Sequence, residues 1–63
     1  MDEAANDLRM LRYVAEITRR LAKMLSRTRY QVLVYFLEMT AVEADSLAAE
    51  QDRRAEARKP PRN

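Results

Sequence analysis

Five cations gather between positions 19 and 29: Arg19, Arg20, Lys23, Arg27 and Arg29. Lysine and arginine contacts to phosphate supply most sequence-independent affinity for nucleic acid, and Tyr13, Tyr30 and Tyr35 stand near enough in sequence to stack on bases. Charge runs on helices are more often a solvated face, and tyrosines beside an apolar stripe usually bury their rings and keep the hydroxyl wet. The cluster is therefore read first as surface that is solvated or faces a partner, and second as an anion or nucleic-acid site. Carboxylates recur at seven-residue spacing as Glu38 with Asp45 and Glu43 with Glu50. Paired carboxylates can do acid–base work only where burial shifts their protonation, and these lie on a polar face. Histidine, cysteine and glycine are all absent. Without them the commonest proton carriers, thiol nucleophiles, zinc ligand sets and phosphate-cradling loops are missing. A bundle-type carboxylate metal site also wants a Glu-x-x-His pair. The expectation is a protein that is not an enzyme and takes no cofactor or metal.

These side chains need elements to hold them. Leu8, Leu11, Ala15, Thr18, Ala22 and Leu25 alternate steps of three and four, which is one stripe of a helix. Met10, Val14, Ile17, Leu21 and Met24 repeat the alternation beside it, so the apolar face is broad enough for two neighbours. Arg9, Arg12, Glu16, Arg19 and Lys23 make the opposite, polar face.

Near Ser26 the pattern breaks. Thr28-Arg29-Tyr30-Gln31 fits a capping box, which predicts that a second helix starts at Arg29. Its core stripe is expected at Leu33, Leu37, Thr40, Ala44 and Leu47, with Leu33 and Leu37 most deeply packed. Tyr30, Val34, Ala41 and Ala48 widen that stripe on one side, and Val32, Phe36 and Met39 on the other. Gln31, Glu38, Asp45 and Asp52 form a polar complement every seven residues. Val32 to Phe36 has strand preference, but a strand would need partners that the rest of the chain does not supply. Beyond Ala49 the apolar stripe fades, a Glu50–Arg54 pair is placed at i, i+4, and Pro60 and Pro61 stop the helix.

The chain is thus read as all-α. Residues 1–59 form an antiparallel helical hairpin with a helix over about 3–25, a turn at 26–28, a helix over about 29–57 and a disordered tail at 60–63. Folding at Thr28 predicts that Arg12 approaches Glu43 and that Arg9 approaches Asp45 and Glu50. The five cations of the turn end are left without acidic counterparts in their own chain. They are solvated, neutralised by the acidic open end of a second copy, or bound to an anion. Sixty-three residues supply a small core, and with no disulfide or zinc available the remaining staple is self-association. The favoured assembly is a dimeric four-helix bundle. Its interface is expected at Val14, Ile17, Leu21, Met24, Tyr30, Leu33, Val34, Phe36, Leu37 and Met39. Another protein is a further expected partner, nucleic acid a less favoured one, and a membrane none. The acidic Met1-Asp2-Glu3 start differs from a secretory leader, and the apolar run from Tyr30 to Val42 is shorter than a membrane span and holds Glu38. A cytoplasmic location is expected.

At Leu11-Arg12-Tyr13-Val14-Ala15-Glu16-Ile17, and again from Tyr35 to Ala44, the chain resembles a loose group of short two-helix proteins found chiefly in alphaproteobacteria. That resemblance implies a small bacterial cytoplasmic protein, with no activity or functional residues to carry over. In length and layout, though not residue by residue, the chain is also similar to the plasmid-encoded Rop protein, a helical hairpin that dimerises into a four-helix bundle and binds RNA. Fold alone does not fix function.

Overall fold

The computed structural model describes residues 3–58, which form two α-helices packed against each other as a hairpin. Helix α1 spans Glu3–Leu25 and α2 spans Gln31–Arg58. The tail expected at 60–63 lies outside the described residues. No described helix is long and apolar enough to cross a membrane.

Small side chains hold the helices together. On α1 the buried positions are Ala15, Thr18 and Ala22, with Leu8, Leu11 and Leu25 half-buried in the same stripe, as its spacing predicts. On α2 they are Val34, Ala41, Ala44 and Ala48, with Leu37 half-buried among them. Ala41 is 0% exposed. Small residues let two helices approach closely, and each buries its stripe against the other. The one buried polar side chain of this seam, Thr18, donates its hydroxyl proton back to the carbonyls of Val14 at 2.7 Å and Ala15 at 3.2 Å, so no hydrogen-bonding capacity is stranded.

The core stripe of α2 is thereby rotated from its expected phase. Leu33 is 48% exposed, Leu47 and Thr40 are exposed as well, and Leu37 is half-buried where dense packing was expected. The cause is that the opening half of α2 is apolar on nearly every side. Hydrophobicity alone then does not select a face, and close approach to Ala15, Thr18 and Ala22 selects the alanines.

The connection is also longer than the expected turn, running from Ser26 to Tyr30. The Val34 N–H donates to the Tyr30 carbonyl at 3.1 Å, which makes Tyr30 the capping residue of α2 in place of Thr28. Thr28 works backwards instead. Its hydroxyl donates to the Leu25 carbonyl at 2.7 Å and accepts from the Tyr30 N–H at 3.2 Å. Ser26 likewise donates its hydroxyl to the Lys23 carbonyl at 2.9 Å. Gln31 reaches back to the carbonyls of Ser26, at 3.1 Å, and Thr28, so the reciprocal capping box does not form. No described residue has positive φ, and a helix with no left-handed cap satisfies its last carbonyls with these side chains and with turn bonds from the Ser26 and Thr28 N–H groups.

Candidate functional site

Seen along its axis, the hairpin has two unlike flanks. One is a charged seam. Arg12 bridges to Asp52 at 3.2 Å, and one heptad nearer the turn on each helix Arg19 bridges to Asp45. Lys23 and Ser26 of the α1 end line the same side together with Glu38 of α2. The seven-residue recurrence of Glu38, Asp45 and Asp52 is therefore the α2 edge of this seam. The partners differ from the expected Arg12 with Glu43 and Arg9 with Asp45 and Glu50. Two causes act together. The connection is longer than a three-residue turn, and helical side chains lean towards the N-terminus of their own helix, which carries the arginines of α1 towards later residues of α2.

The other flank is apolar. A shallow groove of about 410 Å³ is lined by Leu11 and Val14 of α1 and by Phe36, Met39, Thr40, Glu43, Ala44 and Leu47 of α2. A second groove of about 550 Å³ continues it at the open end, between Met10 and Val14 on one side and Leu47 and Gln51 on the other, with Asp7, Glu50 and Arg54 at its edges.

Most of the predicted interface residues are exposed. Val14, Leu21, Met24, Tyr30, Leu33, Phe36 and Met39 all present apolar surface, Met24 at 75% and Phe36 at 59%. Ile17 and Leu37 are half-buried, and Val34, at 7%, is covered within its own hairpin. Met10 and Leu47 line the apolar flank although neither was among the predicted contacts. Met10 belongs to the second α1 stripe and was legible from its spacing, whereas Leu47 was assigned to the core by the same phase shift that misplaced Leu33. Tyr35 and Phe36 form a tilted ring pair with centroids 5.9 Å apart.

The five cations do not form one unpaired cluster. Arg19 holds Asp45, and Arg20 holds Glu16 one turn away at 2.8 Å, so both have acidic counterparts in the same chain, contrary to expectation. Lys23, Arg27 and Arg29 make no ion pair among the described residues. Arg29 stands over the Tyr30 ring, 5.9 Å from its centroid, in a cation–π contact. The i, i+4 spacing of Glu16 and Arg20 was legible in the sequence, whereas the reach of Asp45 to Arg19 depends on the register of the hairpin. Of the candidate carboxylates, Asp45 is taken up by Arg19 and Glu50 by Arg54 at 3.1 Å, the latter the expected i, i+4 pair.

No family model, no curated protein and no solved structure matches the chain. Function has to be read from these two flanks and the turn end.

Proposed function

We propose that the chain is a small non-enzymatic interaction module that works as a homo-oligomer. Two hairpins close their apolar flanks into a four-helix bundle, and the assembled module serves as an adaptor or regulator that binds another protein. The observation that carries this reading is the continuous apolar flank formed by Met10, Val14, Leu21 and Met24 on α1 and Leu33, Phe36, Met39 and Leu47 on α2. Exposed apolar surface of this kind marks an interaction site. A bacterial, cytoplasmic setting belongs to the same proposal and rests on the resemblance of the two helical segments.

Nucleic acid ranks lower because two of the five turn-end cations already hold carboxylates, and phosphate would have to displace Glu16 and Asp45 to engage them. Sedimentation equilibrium tests the ranking. The wild-type chain is expected to have the mass of a dimer at micromolar concentration, and a variant carrying Val14→Glu with Phe36→Glu that of a helical monomer. A wild-type monomer would overturn the proposal. In a parallel titration, RNA and DNA at physiological salt are expected to bind no tighter than about 10⁻⁴–10⁻⁶ M, the range of non-specific electrostatics. Submicromolar binding lost on Arg27→Glu with Arg29→Glu would promote the nucleic-acid reading instead.

A further inference from the structure

The side of α2 turned away from α1 carries an apolar stripe of its own. Val32, Tyr35, Met39 and Val42 follow one another by three, four and three residues, and all four are exposed, Val32 at 68%. At about 100° per residue they lie roughly 100–180° around α2 from Ala41, which has no free surface against α1. Met39 alone of the four also lines the apolar groove. Closing the flank therefore leaves Val32, Tyr35 and Val42 uncovered.

The borders of this stripe are acidic. With Val32 and Met39 at heptad position a and Tyr35 and Val42 at d, the flanking e and g positions between Gln31 and Asp52 hold Glu38, Glu43, Asp45 and Glu50 and no cation. Asp45 and Glu50 are taken up by Arg19 and Arg54. Glu38 and Glu43 are exposed, one on each border, and make no ion pair among the described residues. Glu38 follows Tyr35 by three residues and Glu43 follows Met39 by four, which makes each carboxylate a surface neighbour of the stripe. Lys23 of α1 lines a cavity together with Glu38 but forms no ion pair with it.

These carboxylates decide what can cover the stripe. Two α2 helices packed stripe to stripe would set Glu38 of each copy against Glu43 of the other when parallel, and acids against acids when antiparallel, so self-pairing through this face is opposed. A phosphate-rich surface is opposed by the same charges. We infer that the outer face of α2 docks one amphipathic helix of another protein, with an apolar stripe of matching period and lysine or arginine along both borders. The inference rests on the adaptor reading and gives it a surface and a partner chemistry. It does not require the dimer.

The probe is a synthetic amphipathic helix of three heptads, with leucine at a and d and lysine at e and g, labelled with a fluorophore and titrated with the full chain. Its twin carries glutamate at e and g. The lysine peptide is expected to bind and the glutamate peptide to stay free. Tyr35→Ser with Val42→Ser, at exposed positions, is expected to weaken binding at least about tenfold with helicity retained, since two apolar contacts are lost. Glu38→Lys with Glu43→Lys is expected to exchange the preference between the peptides, a gain that loss of fold cannot imitate. No binding of the lysine peptide, or equal binding of both peptides, overturns the inference. Sedimentation of the mixture keeps it apart from the dimer. A peptide that binds only by splitting a dimer occupies the flank and overturns the inference. A chain that is monomeric alone yet shows the same preference and its exchange overturns the dimer and supports the inference. Growth of the wild type beyond a dimer, abolished by Tyr35→Ser with Val42→Ser, assigns the stripe to a further copy and overturns the inference.

Discussion

A chain without glycine has to finish a helix with side chains, and Ser26 and Thr28 do so for α1 by donating to the carbonyls of Lys23 and Leu25. Thr28 is half-buried and has both halves of its hydroxyl engaged, giving a proton to Leu25 and accepting one from Tyr30. Removing that hydroxyl strands the Tyr30 N–H at the entry to α2 and leaves the Leu25 carbonyl with only its bond from the Thr28 N–H. Thr28→Ala is therefore expected to destabilise the chain by about 1 kcal/mol in urea titration at fixed protein concentration, the usual loss on removing a cap. Thr28→Ser, which keeps the hydroxyl, is expected to stay near wild type. An unchanged midpoint for Thr28→Ala would show that water satisfies both groups equally well and that the connection does not depend on this side chain. The same local sequence suggested a capping box because Thr-x-x-Gln spacing is what such a box requires. That spacing cannot say whether the threonine serves the helix before it or the one after.

At the scale of the elements, α1 was almost fully legible and α2 only in part. Six positions from Leu8 to Leu25 face α2 as their spacing requires, because Arg12, Glu16, Arg19 and Lys23 interrupt the apolar residues and leave a defined face. In α2 the residues from Val32 to Phe36 carry no charge at all. There the choice between Leu33 and Val34 as the inward residue is made by the partner helix, whose alanines and Thr18 favour close contact. Large side chains are consequently displaced to the flank and small ones taken inward. This predicts an inversion of the usual ranking of surface and core effects by size. Ala41→Leu should destabilise by about 1–3 kcal/mol through overpacking, because Ala41 has no free surface. Asp45→Ala, which removes a visible ion pair from an exposed seam, should change stability by only about 0–1 kcal/mol. Thermal unfolding of the two variants compares them directly. If Asp45→Ala proved the more damaging, the charged seam and not the alanine contact would hold the hairpin together.

For the whole molecule the decisive quantity is how little a lone hairpin can bury. Its inner seam is made largely of alanines, which contribute little apolar area each, while among the described residues thirteen larger apolar side chains stay exposed. A domain this small seldom gains more than about 3–5 kcal/mol from one core, so in the proposed dimer covering the flank would account for a large share of its stability. Folding and association would then be linked, and the unfolding temperature is expected to depend on concentration. Raising the concentration a hundredfold adds about 2.7 kcal/mol to the unfolding free energy of a dimer and should raise the midpoint by on the order of 10 °C. Val14→Glu with Phe36→Glu places two carboxylates in the groove that the second copy would fill, so the midpoint of that variant should be lower and should not move with concentration. Circular dichroism melts from low micromolar to submillimolar chain concentration read both. A wild-type midpoint that stays fixed over that range would mean that the alanine seam suffices alone. The exposed flank would then have to be explained by some surface other than a second copy.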